Sequence, residues 1–271
     1  MRRLTVARIV LLLPLLATSV VAMPTRLAPP AQGAQGTRPL PEYDTFVRTA
    51  RNNLIRSQRE QFNYAYKERR TEFHVNPFGR VGTGGIEGWE VTPIENGAVI
   101  LRKLIERDGK RVTDGEVDRI KVKEERRREG RRTTMEDVVA MLTFKIARRE
   151  AVNGRDAIVI TFTPRPDGEP ETREGRIAQS FTGSVWVDEA AREVIRIDAK
   201  AVEAISFGFG LIARLNEGST VTLHRQPIDG AIWLPTSIRF AGEGRALLLR
   251  SLKVDQRIEW SEYKKVLDSG P

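Results

Sequence analysis

Cysteine is absent from this 271-residue chain. That excludes disulfides, thiolate catalysis, cysteine-ligated zinc and lipid attachment at an N-terminal cysteine. Histidine is almost as scarce. His74 and His224 stand alone, and two histidines without further ligands fall short of a zinc site, so each reads as a strand histidine. No G-x-S-x-G elbow occurs. The glycines of Gly82-Thr83-Gly84-Gly85 lack the Lys-Ser/Thr ending of a phosphate loop and run into a strand rather than a helix, which makes them a hairpin tip. Carboxylate pairs such as Glu124-Glu125 and Glu136-Asp137 fall on helical stretches whose exposed faces solvate them. Past the first two dozen residues no apolar run approaches the roughly 20 residues that cross a bilayer. The expectation is a protein that is not an enzyme and carries no metal or cofactor.

What is present is charge and alternation. The formal net charge is +9, and residues 1–22 hold Arg2, Arg3 and Arg8 with no acid, which leaves +6 for the remainder. Met1–Ala22 has the three parts of a secretory signal: a basic start, an apolar run Ile9–Ala17 bent at Pro14, and small residues Ser19-Val20-Val21-Ala22 before a cleavage point. An uncleaved anchor helix is the alternative, but Ile9–Ala22 is short for a bilayer. The stretch 23–41, rich in Pro, Gly, Ala and Gln, reads as a disordered tether. A single domain is expected over 42–271, soluble in the periplasm once the signal is cut.

Helical spacing of Phe46, Val47, Ala50, Leu54 and Ile55 predicts a helix over Asp44–Phe62. The period then changes to two, giving a strand over Phe62–Val75. Gly88–Ile94 and Ala98–Glu106 read as strands joined at Asn96-Gly97, and Asp108-Gly109 closes the second. Thr113–Arg132 is crowded with charge and reads as helical, with Val117, Ile120 and Val122 as anchors. A second helical piece follows at Met135–Leu142, where Glu136 and Asp137 suit the first turn. The charged helical insertion thus spans 113–142. From Phe144 onward the chain is a run of strands: Phe144–Val152, Asp156–Thr163, Gly183–Asp188, Glu193–Val202, Thr220–Arg225, Ile232–Phe240 and Ala246–Trp260. Asn153-Gly154 and Asp229-Gly230 supply turns. The fold class is α+β: one strongly curved antiparallel sheet, an incomplete β-barrel, with helices covering its concave face.

Gly183-Ser184-Val185-Trp186-Val187-Asp188, Val194-Ile195-Arg196-Ile197, Gly230-Ala231-Ile232-Trp233-Leu234-Pro235 and the closing Trp260-Ser261-Glu262-Tyr263-Lys264-Lys265 resemble the second half of bacterial outer-membrane lipoprotein-sorting proteins, the LolA/LolB-like superfamily. Tyr64-Ala65-Tyr66-Lys67-Glu68-Arg69 and Leu104-Ile105-Glu106-Arg107-Asp108-Gly109 are similar to exported relatives of that group. The likeness covers most of residues 43–265. It implies a helix-capped incomplete barrel enclosing an apolar cavity for acyl chains. The long charged insertion departs from that pattern, as does the missing anchor cysteine of the receptor members, so a soluble carrier is the better analogue.

The resemblance and the residues together give two expectations. In the first, the protein holds a lipid or lipoprotein acyl chain without chemical change, as carrier or sensor. Its contacts would be Phe207, Phe209, Leu211 and Ile212, a glycine-punctuated apolar flap, with Trp186 and Trp233 lining the cavity. A buried strand with packing glycines is the plainer reading of that flap. Each buried methylene contributes about 0.8 kcal/mol, so such a site needs no polar motif. In the second, the core is filled and the protein is an envelope interaction module, docking on a protein partner or an anionic membrane through Arg126, Arg127 and Arg128. A solvated helix is the plainer reading of that run. Nucleic acid is not an expected partner, because Glu124, Glu125 and Glu129 interrupt the basic run and no aromatic residue lies in it to stack on bases.

Overall fold

A computed structural model of the chain describes residues 38–75, 83–94, 99–113, 119–123, 135–207, 213–230, 232–246 and 250–266. The expected signal, most of the tether and Arg126–Arg128 lie outside the described residues, as do Phe209, Leu211 and Ile212.

The first element is a helix, α1 (Tyr43–Glu60). Glu42 caps it: its carboxylate accepts from the amides of Asp44 and Thr45, both at 2.8 Å, and the Thr45 side chain together with these amides lowers the Glu42 pKa. Phe46, Ala50 and Ser57 fall on one buried stripe. A 3₁₀ turn at Gln61–Asn63 ends the helix, and the period-two stretch begins as β1 (Tyr64–Val75). Then come β2 (Thr83–Ile94), β3 (Val99–Arg107), β4 (Lys110–Arg111) and β5 (Arg119–Lys123). A short helix, α2 (135–140), leads into β6 (Leu142–Val152) and β7 (Arg155–Pro164), and α3 (Arg173–Ala178) precedes β8 (Phe181–Asp188) and β9 (Val194–Ala201). The short pair β10 (Ile205–Phe207) and β11 (Ala213–Leu215) is followed by β12 (Thr220–Ile228), β13 (Ile232–Ala246) and β14 (Arg250–Lys265).

All fourteen strands join one sheet, ordered β4-β3-β2-β1-β14-β13-β12-β9-β8-β7-β6, with β5 on β3 and β11 on β13. Every described pairing is antiparallel. Asp108-Gly109, Asn153-Gly154 and Asp229-Gly230 each carry two positive φ values. That is the backbone of the tight hairpin turns the sequence suggested.

Two expectations are corrected. The sheet is not strongly curled; it is open, as an incomplete barrel implies, its path ending at β4 and β6, which do not pair with each other. Alternation reports which residues share a face but not how far successive strands coil. Arg119–Lys123 is also not helical: it pairs with β3, Lys123 opposite Val99 and Arg119 opposite Lys103. The alternation Arg119-Ile120-Lys121-Val122-Lys123 is that of a strand, and the helix-forming Glu and Arg around it masked the signal.

Adjacent residues on one strand point to opposite faces, which separates two cores. Phe46 and Ala50 of α1 pack with Ile158, Ile160, Val187 and Val194. The same face continues two residues on through Phe162 into a wider cluster with Phe181, Leu215, Val221, Phe240, Leu252 and Val254, capped by Ile177 of α3. On the other face Ala157, Val159, Trp186, Ile195 and Trp233 form a smaller cluster.

Candidate functional site

The seam between α1 and the sheet is built around one charged residue on the apolar face. Val221, Leu223 and Arg225 follow at period two along β12, so Arg225 lies under α1, only 3% exposed. Its guanidinium donates to the Ser57 hydroxyl of α1, to the Trp233 carbonyl at 2.5 Å and to the Val194 carbonyl at 3.3 Å. Glu193 lies 3.6 Å away, and Arg56 of α1 donates to its other oxygen at 3.1 Å. Burial lowers the Arg225 pKa to about 10 and raises that of Glu193, where it outweighs the attraction of Arg225 and Arg56. Asn53 adds bonds to the carbonyls of Ala191 and Arg192. α1 is therefore fastened to the sheet by hydrogen bonds as well as by apolar packing.

A second buried charge sits where β1, β2, β3 and β14 meet. Glu68, 4% exposed, accepts from Arg70 at 2.5 Å, Arg102 at 2.6 Å and the Trp260 indole at 3.2 Å. Burial would raise its pKa, but the two guanidinium groups outweigh that and hold it below the ordinary carboxylate range. Arg102 in turn lies over the Trp89 ring.

On the face opposite α1 the two tryptophans expected to line a cavity meet in one cluster, and arginines cover them. Arg196 lies 4.8 Å from the Trp186 ring and Arg155 lies 5.4 Å from that of Trp233. The Trp186 indole donates to Glu150. Of the flap, Phe207 ends β10, while Phe209, Leu211 and Ile212 lie outside the described residues. The flanking residues Ile205 and Leu215 are buried in the wide apolar cluster.

Two open clefts accompany these clusters, and both are charged. One, of about 470 Å³, is lined by Arg38, Arg155, Asp156, Asp188, Glu189 and Arg192. Here Arg155 bonds Asp188, whose carboxylate also accepts from the amides of Ala190 and Ala191. Arg149 grips Glu189 through two bonds of 2.7 Å. Arg38, placed in the tether by composition, bonds Asp156 and Glu189, and Arg149 donates to the carbonyls of Arg38 and Pro39. These bonds hold Arg38 and Pro39 against β6, β7 and the β8–β9 turn. Burial raises Asp188, and bonds from Arg155 and the turn amides outweigh it; Arg149 pulls Glu189 down directly. The other cleft, of about 510 Å³, is lined by Lys67, Glu90, Lys103, Glu106 and Arg111. Among the described residues no three His, Asp or Glu side chains gather as a metal site.

Asp137, expected only to suit the dipole of its own helix, holds the start of α3. It accepts from the amides of Glu171 and Thr172 and from the Thr172 hydroxyl. The sequence reading passed over Arg225, Glu193 and Glu68. For Arg225 a signal existed: a cation at the inward position of an otherwise apolar alternation.

Neither a family model nor a curated protein matches this chain. Among solved structures, it is similar to a DUF1329 family protein from Desulfovibrio piger, with a TM-score of 0.31 and 16% identity, covering 83% of this chain and 95% of that one. A LolA superfamily protein from Nitrosomonas europaea matches at TM-score 0.32 and 12% identity, over 81% and 94% of the two chains. A chain of the Pseudomonas aeruginosa MucA/MucB complex matches at TM-score 0.25 and 10% identity, over 78% and 94%. The solved structures to which the chain is similar thus include a member of the superfamily that the sequence resembles.

Proposed function

We propose that the protein is a non-catalytic binding protein of the bacterial cell envelope that captures a polypeptide partner. Its sheet would serve as a platform whose apolar face is already filled by the chain's own residues. The observation that carries this reading is the packing of that face, where α1 packs on side chains of β6 to β9, Ile177 of α3 joins a cluster that runs from β6 to β14, and Arg225 stitches α1 down. The two clefts described above are lined by charged side chains, which suit polar or charged groups better than acyl chains.

The electrostatics support binding without chemistry. A general acid or base works best with a pKa near the operating pH and within reach of substrate. Asp188 and Glu189, in the open cleft, are held ionised by arginines, while Glu193, whose pKa is raised, is sealed beneath α1. The signal-like start supports a periplasmic site of capture, and Arg126, Arg127 and Arg128 remain candidates for partner or headgroup contact.

A second reading, an acyl-chain carrier or sensor, is favoured by one observation. Ile205 and Leu215, which flank the Phe207–Ile212 segment, are buried in the broadest apolar cluster. Titrating delipidated protein with a fluorescent fatty acid separates the two. The platform reading expects no saturable uptake. Stoichiometric uptake, lost in a Phe207→Asp/Phe209→Asp variant, would overturn it in favour of the carrier.

A further inference from the structure

We propose that the free edge of β6, with the flank of α1 beside it, is a docking groove that takes an extended acidic and apolar segment of a partner protein as an added strand. This rests on the partner-capture reading above and names its site and the chemistry of its ligand.

Among the described residues β6 ends the strand path and pairs with β7 alone. Its eleven residues span about 36 Å at the usual rise per residue. The Arg165 amide donates to the Met141 carbonyl at 2.9 Å, just before the strand. The register then makes Thr143–Thr163 and Lys145–Thr161 bonded pairs, with Leu142–Pro164, Phe144–Phe162 and Ile146–Ile160 between them. Pro164, which has no amide hydrogen, falls on a non-bonded site as this phase requires. The backbone groups of Leu142, Phe144 and Ile146 therefore point away from β7. Among the described residues, the one polar group that reaches them is the Tyr43 hydroxyl, which donates to the Phe144 carbonyl at 2.9 Å.

The side chains around this edge are amphipathic. Phe144 and Ile146, half-buried, fringe the same cluster as Val47 and Leu54 of α1. Tyr43, Val47, Arg51 and Leu54 follow one stripe of the helix, and the Tyr43 bond shows that this stripe faces β6. Beyond it Leu40 and Tyr43 stand open, 43% and 39% exposed. On the other face of the strand Lys145 is exposed, and neither it nor Arg48 or Arg51 of α1 has a salt-bridge partner among the described residues.

A strand laid along this edge finds three outward backbone positions before the bulge at Ala147, and at the middle one it must displace the Tyr43 hydroxyl from the Phe144 carbonyl. Its apolar side chains, at every second position, would meet Leu40, Tyr43 and Val47, and its acidic ones would meet Lys145. A second copy of this chain fits poorly, because edge-to-edge pairing of two β6 strands would set like charges against each other.

The test combines residue-resolved amide exchange on the full chain with a fluorescein-labelled peptide of about seven residues that alternates valine and glutamate. In the free protein the amides of Phe144 and Ile146 should exchange fast while those of Thr143 and Lys145 are slow. Peptide binding should be saturable and should slow Phe144 and Ile146 selectively. Lys145→Glu, an exposed substitution whose folding is checked by its melting curve, should weaken binding about fivefold. A peptide methylated on alternate backbone nitrogens should not bind. The proposal is overturned if the peptide does not bind, if it binds without slowing these two amides, or if they are already as slow as their neighbours. A copurifying polypeptide partner with no effect at β6 would remove this site and leave the platform reading standing. Stoichiometric lipid uptake would remove the reading itself.

Discussion

The Arg225 guanidinium donates to the Ser57 hydroxyl, joining residues 168 positions apart in sequence. The bond ties the first helix of the described chain to one of its later strands, on the apolar side of the sheet. Arg225 also bonds the Trp233 and Val194 carbonyls, so one side chain sets the seat of α1 and the spacing of β9, β12 and β13. Removing one partner of a buried pair leaves the other charge without compensation.

Arg225→Met should therefore destabilise the protein by about 3 kcal/mol, since Glu193 stays buried and keeps only Arg56 of its two cations, while the Ser57, Trp233 and Val194 acceptors lose their donor. The double variant Arg225→Met/Glu193→Gln should recover much of that loss. Urea midpoints of the three proteins check the prediction, and equal losses in the single and double variants would refute it.

Glu68 predicts a pH dependence. Its native pKa is depressed, so between that value and the ordinary carboxylate value of 4.5 the unfolded chain holds more protons. The stabilisation it supplies is complete above the ordinary range and is lost as pH falls through the native value. Glu68→Gln should cost about 3 kcal/mol at neutral pH, and its stability should fall less on acidification than that of the natural chain. Glu193 has the opposite sign: its raised pKa makes its contribution fade as pH rises through the native value. Thermal unfolding across the acid range reads both.

Gly183 predicts an inversion of the usual rule. Alanine generally suits a strand better than glycine, because glycine loses more backbone freedom on folding. Here a Cβ would overlap the Asp198 carbonyl oxygen, fixed in the next strand, and come within 2.8 Å of the Phe162 ring. Gly183→Ala should cost about 1–3 kcal/mol, measured as a fall in the urea midpoint. A neutral or stabilised variant would show that β8 and β9 yield more than this packing allows.

The sequence made much of the sheet legible because its strands are amphipathic and its turns are Asn-Gly and Asp-Gly pairs with positive φ. The first helix was legible from Phe46 and Ala50. Three things were not. Arg119–Lys123 is a strand that its charged neighbours disguised, and α3 is a single short turn whose start is fixed by Asp137, a residue 35 positions before Thr172. The coil of the sheet is the third, being a sum of small twists that no single residue announces. At the site, Trp186 and Trp233 were legible as important apolar residues, but their arginine covers come from other strands. The edge of β6 was invisible for a simpler reason: which strand ends a sheet depends on the whole strand order.

The most direct test of the platform account is native mass spectrometry of the protein purified from a bacterial periplasm. The account predicts a polypeptide adduct and no lipid. A stoichiometric lipid adduct that disappears in Phe207→Asp/Phe209→Asp would contradict it and establish the carrier.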